Sequence, residues 1–353
     1  MTTKLNIQSL AATANKNLKT KTKRAFALLL MLALLAPAVA WAQSFGGGSG
    51  TETDPYIIST VQHWQSLRNA VNNDGTTFRD QHFRLDADLD FSGIQMSGIG
   101  CENTTAPSGY NMFYGHFDGN GHTIRNFQNP TITVYSIGGL FAVAGAGALI
   151  ENLTLDNCTL RGGNYAGGIV GYLNGNVAYT DRGVRNCIVA ANCWVRKQGS
   201  DGLGVVGGIV GQTSGKSDVA DCVFLGRLDG NNAGAITSSS WVHWAYQNGN
   251  TSVDPDQQSK RCLIGGNCTA GAIGVIGSTQ GTDELTSAKH ITTVGFANDI
   301  NGSISTSPTF SHSGTHYYEC GTDIDLSMAY TGTTATGYIM ESFLANGTPI
   351  TKT

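Results

Sequence analysis

The chain has 353 residues, among them 21 Lys or Arg, 25 Asp or Glu, 47 Gly, 7 Pro and 8 Cys. Six of the bases and none of the acids fall in residues 1–42, so the remaining 311 residues carry 15 bases against 25 acids, a net charge of −10. That sign argues against nucleic acid or an anionic membrane as partner, and 13% charged with 40% apolar residues exclude a charged disordered polymer.

Lys16 to Arg24 is basic, Ala25 to Ala36 is an apolar run of twelve, and Ala38-Val39-Ala40 or Ala40-Trp41-Ala42 offers small residues for a signal peptidase. This pattern predicts a secretory signal peptide over 1–42. As a helix the run rises about 18 Å, short of a hydrocarbon core of roughly 30 Å. The mature chain is expected outside the cytoplasm, secreted or at the cell surface, with no transmembrane segment after signal removal. Residues 43–58 are expected as a lead, flexible over Ser44–Thr53, followed by a first strand.

Ser59-Thr-Val-Gln62 has the form of a capping box, and Val61, Trp64, Leu67 and Val71 recur at helical spacing. One amphipathic helix is predicted, ending by Asn73-Asp74-Gly75 and covering the open end of the strands C-terminal to it. His82 to Phe91 alternates Phe83, Leu85, Ala87, Leu89 and Phe91, and Gly115 to Phe127 turns at Asp118-Gly119-Asn120-Gly121; both read as strands.

A glycine-led apolar motif then occurs five times: Gly138-Gly-Leu-Phe141, Gly167-Gly-Ile-Val-Gly171, Gly207-Gly-Ile-Val-Gly211, Gly234-Ala-Ile236 and Gly271-Ala-Ile-Gly274, with starts 29, 40, 27 and 37 residues apart. A second motif alternates with it: Leu155-Asp-Asn-Cys158-Thr-Leu160, Val184-Arg-Asn-Cys187-Ile-Val189, Val219-Ala-Asp-Cys222-Val-Phe224 and Lys260-Arg-Cys262-Leu-Ile264. Units of this length cannot bury an apolar face alone, and stacking solves that. The fold class is all-β: a right-handed parallel β-helix over 59–297 with one short N-terminal capping helix. Glycine recurs too often, and no 3.6 period appears in the repeats, for a helical solenoid. Equivalent residues would lie about 4.8 Å apart, stacking Cys158, Cys187, Cys222 and Cys262 beside Leu160, Val189, Phe224 and Ile264. The coils opening at Gly167 and Gly234 are the long ones. Residues 298–353 lose the repeat and read as a β-rich cap, or as the start of a truncated second module.

Gly50-Thr-Glu-Thr-Asp-Pro-Tyr-Ile-Ile58, Leu85-Asp-Ala-Asp-Leu-Asp-Phe91, Phe117-Asp-Gly-Asn-Gly-His-Thr-Ile124 and the repeated Gly-Gly-(Leu/Ile)-(Phe/Val) resemble the GLUG-motif group of secreted right-handed β-helix proteins, common on bacterial surfaces. The resemblance covers roughly 50–275 and implies an adhesin-like role. Members with a zinc peptidase domain are known, but this chain has no His-Glu-x-x-His.

Stacked cysteines on parallel strands suit buried free thiols as well as disulfides; Cys187/Cys193 and Cys262/Cys268 are each close enough to close local loops. No Cys-x-x-Cys is present, and no metal or cofactor is expected. Asp86, Asp88, Asp90 and Asp118 offer carboxylates to calcium, against a solvated strand face opposite the apolar side. His312, His316 and Glu319 lack a helical presentation for zinc. Paired carboxylates, or a carboxylate with Lys or Arg, as in polysaccharide lyases or glycoside hydrolases, the alternative function, are represented only by scattered Asp201, Asp218, Asp221, Arg227 and Asp229. Trp241, Trp244 and Tyr246 lie in one long coil and are the ligand-binding candidates, as platforms for glycans or as contacts to extracellular surface proteins, against the alternative of a loop packing them inward. The expected function is a non-catalytic adhesin-like stalk or binding module.

Overall fold

The computed structural model describes residues 44–130, 136–175, 182–198, 204–214, 218–230, 232–240, 259–265, 274–276, 289–293, 300–319, 321–330, 343–345 and 348–350. The expected signal peptide lies outside them. Two compact units divide the chain, at His290 and Ile291. The second therefore begins before 298, because Ile291–Thr293 already pairs antiparallel with Tyr317–Glu319.

The first unit is a parallel β-helix with four faces. Face one stacks Tyr56–Ile58, His82–Leu85, His116–Asp118, Leu149–Glu151, Gly183–Arg185, Asp218–Ala220 and Ser259–Lys260. Face two stacks Leu89–Asp90, Thr123–Arg125, Thr154–Asp156, Ile188–Val189, Val223–Phe224 and Leu263–Gly265. Face three holds Thr159–Gly162, Trp194–Lys197 and Arg227–Asp229. Face four holds Ile137–Gly138, Tyr165–Gly167 and Val205–Gly207, then, past a bend, Phe141–Ala144, Val170–Asn174 and Val210–Ser214, with Asn232–Ser240 running along both.

Alternation of polar and apolar residues puts one side of each strand inside. Phe83, Phe117, Ile150, Val184 and Val219 share one register, as do Leu89, Ile124, Leu155, Val189, Phe224 and Ile264. Leu160, Val195 and Leu228 fill face three, and Leu140, Ile169, Ile209 and Ile236 fill the bend of face four; all of these are buried. Each such side chain contributes roughly 1.5–3 kcal/mol on burial. The glycine motif is explained by this stacking. A Cβ on Gly207 would overlap the carbonyl oxygen of Val210, and one on Gly208 would overlap that of Ala235 in the next coil.

The corners are made by residues in the left-handed region, where Asn costs least among non-glycines. Asn152, Asn186, Asp221 and Arg261 turn from face one to face two with φ of 56°, 48°, 55° and 52°. Asn126 and Asn157 turn from face two to face three with φ of 59° and 50°. The continuous strand expected over His82–Phe91 is thus two strands, split at a corner between Leu85 and Leu89.

The register also corrects the expected cysteine ladder. Cys187, Cys222 and Cys262 follow one another in register, but the residue preceding Cys187 in that column is Leu153. Cys158 stands one corner further on, level with Cys193, whose Sγ accepts from the Cys158 backbone N–H at 3.4 Å. The reason is a doubled motif. Ile150-Glu-Asn-Leu-Thr-Leu155 is the true counterpart of Val184-Arg-Asn-Cys-Ile-Val189, and Leu155-Asp-Asn-Cys158 repeats its form five residues later. Cys101, Cys158, Cys187, Cys193, Cys222 and Cys262 are free thiols. Cys158 is pushed well above the usual thiol value by its hydrogen bond with Cys193 and by burial. Cys222 is raised by burial first, and Cys262 by Cys222 and then burial.

At the N-terminal end the helix Val61–Asn72 closes the barrel. Its cap is Thr60, not Ser59: the Thr60 hydroxyl accepts from the His63 N–H at 3.2 Å, while Ser59 bonds the His63 ring instead. Trp64 enters the core edge-on against Phe91, Phe117 and Phe141, at 6.2, 5.5 and 5.6 Å. The expected flexible lead is docked. Phe45 is buried against Tyr56, Phe78 and Phe83, and Gly46 and Gly47 bond the backbone of Ile57.

The second unit is antiparallel. Ile291–Thr293 and Phe310–His312 flank Thr315–Glu319, and Ile300–Ile304 pairs with Leu326–Tyr330. Ser313 and Gly314, with φ of 49° and 78°, make the hairpin turn, a backbone that glycine adopts freely.

Candidate binding surface

A filled solenoid keeps function on its outside. Trp241, Trp244 and Tyr246 lie outside the described residues, as do Asp201, Cys268 and Cys320. The other sequence candidates are placed and do not converge.

Asp86 is held by Arg84 at 2.7 Å. Asp88 accepts from the Thr123 N–H at 2.9 Å and from Arg125 at 2.8 Å, with the His122 ring at 3.1 Å. Asp90 accepts from Asn126 and Ser92, and Asp118 from Asn152 and the Asn120 N–H. Asp86, Asp88 and Asp90 lie below the usual carboxylate range, through Arg84, the Thr123 N–H and Asn126 respectively. Each carboxylate thus has its own donors, whereas a calcium site needs several to converge on one point. Asp221 is a corner residue paired with Arg261, one turn from Asn186 and not in the column of Asn157. Asp218 is buried. His312 and His316 pair with Thr315 and Ser311 across the hairpin, which sets the two imidazoles on opposite faces.

The corner between faces one and two forms a groove of about 430 Å³, lined by Asp118, Asn120, Asn152, Leu153, Thr154 and Asn186 among others. Its amides bond one another. Asn152 Nδ2 donates to Asp118 at 2.8 Å, and Asn186 Nδ2 donates to Asn152 Oδ1 at 2.8 Å. On face one, His116 Nε2 lies 2.7 Å from Glu151 and His116 Nδ1 lies 3.0 Å from His82 Nδ1. The hydrogen bond from His116 holds Glu151 below its ordinary value. His82 is lowered by burial and then by His116.

Face four carries the aromatic surface. Inward Ala166 and Leu173 leave Tyr165 and Tyr172 pointing out, and the Gly167-Gly168 bend brings their rings together, stacked at 5.5 Å and 22°. The hairpin Cys101–Glu102 with Tyr110–Asn111 lays Tyr110 against Tyr172 at 5.5 Å and 46°. Met112, Ala142 and Val143 form a small buried floor beneath, flanked by Tyr114 and Ile137. The rim is polar: Tyr172 Oη meets Ser214 Oγ at 2.8 Å, and Ser214 donates to Asn174 Oδ1 at 3.1 Å. Burial raises Tyr110, Tyr165 and Glu102. Three half-buried rings with hydroxyl, amide and carboxyl groups at their edge supply both an apolar platform and orienting hydrogen bonds. Sequence reading missed this set. Its one signal was that Tyr165 and Tyr172 flank the Gly167–Gly171 motif at outward positions; Tyr110 arrives from an excursion that no repeat marks.

Among the described residues, no helix is long and apolar enough to cross a membrane. No family model matches the chain. The chain is 34% identical over 177 residues to halomucin of Haloquadratum walsbyi, and 38% identical over 136 residues to a protein of Evansella cellulosilytica described as a Gly-rich membrane protein. These matches cover 49% and 37% of this chain but span only 2% and 14% of the relatives. A solved structure from Bacteroides ovatus, described as an immunoglobulin A1 protease, aligns over 70% of this chain and 85% of its own at 17% identity and a TM-score of 0.39.

Proposed function

We propose that the chain is a non-catalytic β-helix binding module, exported and displayed at or released from the cell surface, that holds glycans on the tyrosine platform of face four. The observation that carries this reading is the Tyr110–Tyr172–Tyr165 array with its polar rim, beside carboxylates and imidazoles that are committed to one another rather than gathered around an open cleft. A relative described as a membrane protein supports the surface address, and the glycine-led repeat is read as that of the GLUG-motif group. Purified chain incubated with immobilised neutral polysaccharides tests it, with retention and released sugar scored in the same wells. Retention without release, reduced about tenfold by Tyr165→Ala with Tyr172→Ala, is expected. Equal retention by the variant removes the platform from the reading. Released sugar replaces a binding module with an enzyme.

A further inference from the structure

Face three presents two outward rows, Thr159, Trp194, Arg227 and Arg161, Arg196, Asp229, one residue per coil. Three of the six are arginines, on a chain whose residues beyond 42 carry a net −10. The Arg196 and Arg227 guanidinium carbons lie 4.0 and 4.6 Å from the centre of the Trp194 ring. Arg161 donates to the Asn129 carbonyl at 2.9 Å, which leaves most of its fork unused. Among the described residues no carboxylate pairs with any of the three, although Asp229 is the register partner of Arg196. Trp194 Nε1 and Arg196 Nε are buried without a hydrogen-bond partner. Arg161 and Arg196 stand one coil apart, and Arg161 is lowered by burial and by the charge of Arg196.

Like charges on neighbouring strands cost energy, and among the described residues no carboxylate forms an ion pair that offsets them. Stacking on indole uses the flat face of a guanidinium and leaves its in-plane N–H groups free, in the fork that matches an oxoanion. Successive coils rise about 4.8 Å, close to the length of one pyranose residue, so a polymer lying along the helix axis sets consecutive sugars over Arg161 and Arg196 of one row, with Arg227 in the neighbouring row beside it.

We propose that face three binds an acidic polysaccharide, with carboxylate or sulfate groups of successive sugars engaged by Arg161, Arg196 and Arg227, and Trp194 as the plate that holds two of the guanidiniums in place. This site is independent of the tyrosine platform. The test immobilises polygalacturonate, dextran sulfate and neutral dextran and measures retention of the purified chain over a salt series. Retention on at least one acidic polymer and loss of about tenfold per substitution in Arg196→Gln and Arg227→Gln are expected; which polymer retains the chain names the oxoanion. Arg227→Lys, which keeps the charge without the fork, is expected to fall between. Arg227 is exposed, so its variants keep the fold, and an unchanged thermal melt verifies this. Tyr165→Ala with Tyr172→Ala leaves acidic retention intact, so failure of one site is visible apart from the other. No retention on either acidic polymer at any salt concentration, equal retention by the Arg196→Gln/Arg227→Gln variant, or stronger retention on duplex DNA would overturn the proposal.

Discussion

The asparagine corner offers the sharpest test of how the solenoid is held. Asn152 does two separable things: it occupies the left-handed region at φ 56°, and it links Asp118 to Asn186 through two hydrogen bonds of 2.8 Å. Asn152→Gly keeps the first and loses the second; Asn152→Ala loses both. A hydrogen bond to a charged acceptor is worth about 1.5–3 kcal/mol and one between neutral groups about 0.5–1.5. The corner is half-buried and solvent replaces part of each, so the lower ends apply and Asn152→Gly is expected to cost about 2 kcal/mol. An alanine in this region adds about 1–2 kcal/mol, which brings Asn152→Ala to about 3–4. Urea unfolding followed by far-ultraviolet circular dichroism reads both, with unchanged slope showing that the same unit unfolds. Equal losses for the two variants would refute the conformational half of this reasoning. A glycine variant as stable as the wild type would refute the ladder.

Trp64→Ala removes the largest fully buried side chain of the cap and is expected to cost about 3–5 kcal/mol, measured by the same unfolding curves; a loss under about 1 kcal/mol would mean the helix does not seal the core. Acid should destabilise the protein from near neutrality downward. His63 and His82 are lowered from 6.5 by burial, so the unfolded chain binds their protons first, and stability falls as pH drops through about 6.5 towards the folded values. Glu151, Asp86, Asp88 and Asp90 are lowered from 4.5 and 3.8 and add losses below those values, while Glu102, raised by burial, acts in the opposite sense above 4.5. Melting midpoints across a pH series should therefore converge with those of His63→Gln/His82→Gln at neutral pH and differ below about 6.5; parallel curves would remove the histidines from the account.

Inward columns were legible in the sequence because their signal is local. Period-two alternation in Cys187-Ile-Val189 or Cys262-Leu-Ile264 needs no knowledge of the neighbouring coil, and the glycine motif marks a bend where a Cβ on Gly207 would meet the Val210 carbonyl. Pairings between coils were less legible, since register depends on counting through insertions of unequal length. The tandem motifs Glu151-Asn152-Leu153 and Asp156-Asn157-Cys158 look alike yet sit on different corners, and only the backbone separates them. The outer surface was hardest. Tyr110 and Tyr172 meet across 62 residues, and Trp194 and Arg227 across a full coil; neither pair has a spacing that sequence periodicity could weigh. The helix boundary was missed by one residue because Ser59 and Thr60 are both competent caps, and the His63 ring takes Ser59 out of that role.

The arginine face carries a consequence that a salt series can read directly. At low ionic strength the acidic remainder of the chain repels an acidic polymer over long distances, which slows encounter. The Debye length shortens from about 30 Å at 0.01 M to about 10 Å at 0.1 M, so moderate salt silences the distant acids first. The short contacts of stacked guanidiniums with an oxoanion persist longer, because they are made within hydrogen-bond distance, well inside the Debye length. Retention on an acidic polysaccharide should then rise from the lowest salt, pass through a maximum and fall only at higher concentration. A simple cation patch on a basic protein gives a monotonic decline instead. A monotonic decline here would mean that general attraction, rather than the Arg161, Arg196 and Arg227 array, holds the polymer.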